Sequence, residues 1–211
     1  MAQLYLIRHG ENVEGKTSPD GPLTDLGLSE TGRTQAMALR SRLERTRELK
    51  PVILLSSPER RAMETALCIA PALSLAVTPD RDLEEWRSDD GTLDPDAFMA
   101  EWRSLSERQR LYHRFMPGCE TQLEFSTRVH SALHRIAQQY AGESVVMVTH
   151  GGFIQMAYRF FFGFGDAAFR RAYAAAAHTS ITCWRQEIAA DRWVLQTAND
   201  VHHLSTLPAV V

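Results

Sequence analysis

Two apolar runs that end in the same way constrain this chain more than any other feature. Residues 4–10 read LYLIRHG and residues 145–152 read VVMVTHGG. Each is a short strand-like run that stops at a histidine followed by glycine. Between them, apolar runs alternate with helical periodicities, the pattern of a mostly parallel sheet covered by helices. The chain is therefore expected to be α/β, a three-layer sandwich with helices on both faces of the sheet. Parallel strands share a direction, so their carboxyl ends lie along one edge, where open α/β sheets place ligand sites. Short right-handed crossovers allow the two histidine-bearing ends to be neighbours.

The periodicities predict strands at 3–7, 52–56, 75–78 and 145–149. A helix is expected over 29–48, with Ala36, Leu39 and Leu43 on one face and Pro51 beyond its end. Ser57-Pro58 reads as a serine cap with proline in the first turn, opening a helix with Ala62, Ala66 and Ile69 inward and Pro71 at its end. Phe98, Trp102, Leu105, Tyr112 and Phe115 fall roughly on one helical face across 95–115, and Pro117-Gly118 breaks that helix. Phe125, Val129, Leu133, Ile136 and Tyr140 mark a strongly amphipathic helix. A further helix is expected over about 152–162, and a hairpin over 179–187 and 192–197. Residues 11–27, rich in Gly, Pro, Asp, Ser and Thr, read as a long and therefore functional loop. One domain, 1–211, is expected, with a helical lid-like insertion at about 86–116.

Charge and cysteine usage narrow the partners. The net charge is −3, which gives no reason to expect nucleic acid or an anionic membrane. Three widely spaced cysteines without a CxxC pair fit a reducing compartment and argue against a disulfide framework or a thiolate metal site. The chain opens directly into a strand, so a cytoplasmic protein, monomer or homodimer, is expected.

The groups that follow the strands carry the chemistry. Arg8 and His9 follow the first, Ser57, Arg60 and Arg61 the second, Glu84 and Glu85 the third, and His150 and Gly151 the fourth. Arginine forks match tetrahedral oxyanions, and helix N-termini add N–H donors. Such a set binds phosphate. A neutral, oriented histidine can attack phosphorus, and a carboxyl group can protonate the leaving oxygen. A zinc site is disfavoured because no HExxH or two-His-one-carboxylate spacing is present and arginines would repel the cation. A serine hydrolase would need a GxSxG elbow, which is absent. No metal and no cofactor are expected. The residues alone leave Arg60 against Arg61, and Glu84 against Glu85, open.

In order along the chain, LIRHGE (6–11), LSETGRTQA (28–36), SSPERRAMETA (56–66), LEEW (83–86), PGCETQLEFSTRV (117–129), VVMVTHGGFI (145–154) and NDVHHL (199–204) resemble the segments of the histidine phosphatase superfamily, the phosphoglycerate mutase-like fold. The resemblance selects Arg61 and Glu85. It implies that His9 becomes phosphohistidine, that Arg8, Arg61 and His150 hold the phosphoryl oxygens, and that Glu85 donates the leaving-group proton. It implies that Gly10 and Gly151 let the backbone close on phosphate. Arg128, Glu120, His202 and His203 read as structural. The activity implied is a phosphomonoesterase acting on a small phosphorylated substrate. Alternatives are a cofactor-dependent phosphoglycerate mutase and a phospho-ligand binding protein without catalysis. Family mutases usually carry Trp-Asn and a basic stretch after the first motif. Residues 12–20 here are acidic and lack that pair, which favours water as acceptor. Specificity is expected from the loop 12–27, where Asn12 lies, and from 86–116, where Arg87 and the basic run around Arg114 are candidates to meet the substrate body.

Overall fold

The computed structural model describes residues 2–13, 25–163, 173–187 and 192–205. Six strands form one sheet: β1 (Gln3–Arg8), β2 (Ile53–Ser56), β3 (Val77–Pro79), β4 (Ser144–Thr149), β5 (Ile181–Glu187) and β6 (Arg192–Asp200). Their order is β3-β2-β4-β1-β5-β6. β1, β2, β3 and β4 run parallel, while β5 pairs antiparallel with both β1 and β6.

Strand alternation divides the core in two. Tyr5, Ile7, Leu54, Val146 and Val148 face one layer, packed on Leu39 and Leu43 of α1 (Glu30–Thr46) and on Ala62, Ala66 and Ile69 of α2 (Arg60–Leu73). Leu4, Leu6, Leu55, Val145 and Met147 face the other, packed on α5 (Gln122–Gln139) and α6 (Gly151–Phe162). A period of two on the strands thus feeds two helical layers, and the three-layer α/β architecture follows. Between β3 and α5 lie two short helices, α3 (Pro95–Ser104) and α4 (Glu107–Tyr112).

Three local expectations are corrected. Ser57-Pro58 does not cap α2. The cap is Glu59, and Ser57 instead continues from β2, its N–H donating to Val148 O at 2.9 Å. Pro71 lies inside α2, which runs on to a left-handed Ser74. A proline in a last turn removes only one helical hydrogen bond, so the helix survives it. The single helix expected over 95–115 is two. Chain direction changes at Leu105, and Ser106 begins again with a capping box to Gln109. Ser-x-x-Gln is a strong start signal that the aromatic spacing concealed. The hairpin holds, with β6 longer than expected. In the long loop, Asn12 bridges Leu28, and residues 14–24, with most of the stretch that separates the family's mutases, lie outside the described residues.

Candidate active site

The register of β1 on β4 sets Arg8 opposite Thr149, so the residues that follow, His9 and His150, leave the sheet side by side. The His9 N–H donates to Thr149 O at 2.9 Å. The two imidazole centroids are 5.0 Å apart. On the far side of β4, the end of β2 leads into α2 and brings Arg61 between them.

Hydrogen bonding fixes both rings. His9 Nδ1 lies 2.7 Å from Gly10 O. A carbonyl only accepts, so Nδ1 carries the proton and Nε2 keeps its lone pair. The Arg61 Nε–H donates to that Nε2 at 3.2 Å. Burial first, and the Arg61 and Arg8 charges with it, push the His9 pKa down to about 3 against the Gly10 hydrogen bond. His150 is fully buried, and its Nδ1 lies 3.0 Å from Arg61 Nη2. A guanidinium only donates, so the His150 proton sits on Nε2, 2.9 Å from Ser57 Oγ. Burial, then Arg61, holds His150 well below the usual histidine range. Both rings are neutral at pH 7.

The cations are arranged to leave capacity for an anion. The Arg8 Nη1–H donates to Ala176 O at 2.7 Å, while its buried Nε has no hydrogen-bond partner among the described residues. Gly151 lies against that guanidinium, since a Cβ there would come within 3.5 Å of Arg8 Nε. Gly10 has no room for one: a Cβ would meet Gly32 O at 2.6 Å. Its N–H donates to Thr65 Oγ1 at 3.0 Å, which anchors the turn after His9 to α2.

The third wall follows β3. Glu85 Oε2 accepts from the Gly152 N–H at 3.0 Å, in the first turn of α6. Glu84 is turned elsewhere, its carboxylate taken by Arg87 at 2.6 Å and Arg81 at 3.5 Å. Of the two adjacent glutamates only Glu85 reaches the start of α6, beside His150. Arg128 of α5 pins this segment from behind. Its guanidinium donates to the carbonyls of Asp82, Glu84 and Glu85, each at 2.9 Å, and its Nε to Glu120 at 2.7 Å. The structural reading of Arg128 and Glu120 therefore has a definite content: they hold the backbone that presents Glu85. His203 likewise braces Thr179, with Nε2 to Oγ1 at 2.9 Å.

Other expected residues lie apart from this cluster. The Arg87 guanidinium is engaged by Glu84, by Arg81 O at 2.8 Å and by Glu120 at 3.7 Å. Arg114 pairs with Glu124 at 2.7 Å and His113 with Glu101 at 2.7 Å. The Asn12 amide donates to Val13 O at 3.3 Å. Two groups join the site unannounced by sequence. Glu59 contacts Arg61, lies 3.3 Å from His150 Nε2 and accepts from the Glu85 N–H at 2.8 Å. His178 has its ring centroid 5.7 Å from that of His9. Burial, then Arg8, lowers the His178 pKa to about 4. The signal for His178 was the hairpin itself, because an antiparallel β5 begins where β1 ends. The signal for Glu59 was a carboxylate two residues before Arg61 in a strand–helix turn.

Among the described residues, no group of three or more His, Cys, Asp or Glu side chains is disposed to hold a metal ion. Nor is any helix there long and apolar enough to cross a membrane.

Comparison with known proteins gives the family. Phosphoglycerate mutase-like protein 4 of Arabidopsis thaliana is 31% identical over 96% of this chain and 87% of its own length. A metal-independent phosphoserine phosphatase of the same plant is 27% identical over 98% and 85%. A mycobacterial glucosyl-3-phosphoglycerate phosphatase, solved with VO3, superposes with a TM-score of 0.73 at 26% identity, covering 93% of this chain and 98% of that one. The family model for branch 1 matches residues 4–201, and the chain belongs to the histidine phosphatase superfamily.

Proposed function

We propose that the protein is a metal-independent phosphomonoesterase that works through a phosphohistidine on His9. The observation that carries this reading is the locked tautomer: Gly10 O holds the proton on Nδ1 and leaves Nε2, neutral, among Arg8, Arg61 and His150. In the first step Nε2 attacks phosphorus as the ester P–O bond breaks, and Glu85 gives its proton to the leaving oxygen. Arg8, Arg61 and His150 take the phosphoryl oxygens, with Gly151 allowing close approach, and stabilise the charge of the transition state. In the second step Glu85 takes a proton from water, which attacks phosphorus and breaks the P–N bond.

The substrate is a small phosphate ester. Its body is read by the insertion 86–116 and the loop holding Asn12, outside the generic phosphate pocket. The cysteines Cys68, Cys119 and Cys183 are free thiols, which supports a cytoplasmic setting. A mutase reading draws support from the mutase-like relative. Interconversion of phosphoglycerates far faster than phosphate release would favour it over hydrolysis.

The test is hydrolysis of p-nitrophenyl phosphate by purified protein in EDTA. Wild type is expected to turn over, and His9→Ala to lose at least about a thousandfold in kcat, since no other group replaces the covalent route. Wild-type rates in His9→Ala would overturn the mechanism.

A further inference from the structure

Glu59 lies against Arg61 and His150, two of the groups that the proposed function assigns to phosphate. Its Oε2 contacts Arg61 Nη2, and its Oε1 lies 3.3 Å from His150 Nε2 and 2.8 Å from the Glu85 N–H that it accepts from. Its side chain is a quarter exposed, so it lies at the mouth of the site rather than in the core. We propose that Glu59 is an internal stand-in for the phosphoryl group, which holds Arg61 and His150 before substrate binds and which the phosphoryl group of the substrate displaces.

The charges around it require such an exchange. With both histidines neutral, Glu85 carrying the proton it donates and Arg128 paired with Glu120, Arg8 and Arg61 stand against Asp25 and Glu59. Asp25 already takes Arg61 Nη1 at 3.1 Å. A phosphoryl dianion would therefore enter a site that carries no net positive charge. Glu59 then leaves Arg61 either as an ion or, having taken a proton from solvent, as a neutral acid. Burial raises its pKa, with Glu85 and Asp25 adding to the rise and Arg61 opposing it. The groups that face Glu59 are Arg61 on its own helix, His150 after β4, Glu85 after β3 and Asp25 ahead of α1. Displacing Glu59 also reaches the proton donor, because Glu59 anchors the backbone of Glu85. Phosphoryl binding and the setting of Glu85 are thereby linked through one side chain.

This proposal rests on the reading that Arg61 and His150 hold phosphoryl oxygens, and the test separates the two. Inorganic phosphate binding is measured by calorimetry at pH 5 and pH 8 on wild type, Glu59→Gln and Glu59→Ala, alongside p-nitrophenyl phosphate turnover. Glu59→Gln keeps the shape and an acceptor for the Glu85 N–H but removes the charge. It is expected to bind phosphate roughly tenfold more tightly than wild type at pH 8. The ratio should shrink toward one at pH 5, where the wild-type carboxyl is increasingly protonated. Dividing variant by wild type cancels the titration of phosphate itself. Glu59→Ala should also bind phosphate more tightly at pH 8, yet lose kcat because Glu85 loses its backbone anchor. Equal or weaker phosphate binding by both variants at pH 8 would overturn the proposal and make Glu59 a structural brace. A ratio that does not change with pH would also overturn it. Wild type that binds phosphate with this pattern but turns over no ester would instead overturn the phosphatase reading and leave Glu59 in its place.

Discussion

One carbonyl, that of Gly10, decides which nitrogen of His9 can react. The same residue must also be glycine, because Gly32 O leaves no room for a side chain. Gly10→Ala is thus expected to cost stability by about 1–3 kcal/mol, as overpacking does. It should also lower activity, since the carbonyl that sets the tautomer must move. Urea denaturation and kcat of the same preparation check both, and an unchanged denaturation midpoint would show that the loop yields without strain. At this scale Arg8, His9, His150 and Gly151 were legible from position alone, each directly following a strand. Arg61 and Glu85 were each one of an adjacent pair. The family resemblance selects them, and their three-dimensional partners set them apart from Arg60, which reaches Glu64, and Glu84, which reaches Arg87.

Elements set the precision of these side chains. The segment from Leu83 to Arg87 has little regular structure of its own, and Arg128 on α5 holds it through three carbonyls while paired with Glu120. Arg128→Met should leave Glu120, only 16% exposed, without its closest cation, and destabilise the fold by about 3 kcal/mol. Where the variant still folds, kcat should fall more than phosphate affinity, because Glu85 is misplaced while the arginine–histidine cluster stands. Equal losses in both would mean that Arg128 supports the whole site. The parallel strands were legible as short continuous apolar runs, and the long helices α1 and α5 because a period of 3.6 runs through each. The ends of α2 and the α3–α4 break were not, because caps there depend on where the chain leaves the sheet and on one serine. Arg87 shows the same limit. Its place in the 86–116 segment between strands made it a candidate for substrate, but neighbouring carboxylates already use its guanidinium. Arg87→Ala should release Glu84 and move the proton-donor segment. A comparison of p-nitrophenyl phosphate with larger esters checks this: equal loss on all of them indicates support of Glu85, and loss confined to larger esters indicates contact with the substrate body.

Across the whole molecule, a single sheet edge gathers groups from β1, β2, β3 and β4, and the fold holds several histidines neutral to do so. His9 is pushed down to about 3, His178 and His203 to about 4, and His150 well below its ordinary value, in each case by burial first. An unfolded chain protonates these rings once pH falls below about 6.5. Between that pH and about 4 the unfolded state binds more protons, so stability is present at neutral pH and is lost as pH falls. Each such ring contributes up to roughly 1.4 kcal/mol per pH unit to that slope. The melting temperature should therefore drop steeply from pH 7 to pH 5, and phosphate should reduce the drop by binding the folded state. A flat profile would show that the rings are already protonated in the fold. The most direct test of the phosphohistidine route is to quench turnover in alkali, where a phosphoramidate bond survives, and to map the adduct by peptide mass spectrometry. One phosphoryl group on the peptide containing His9, absent from His9→Ala, is the expected result. Full turnover with no adduct, or an adduct on His150 or His178 instead, would contradict it.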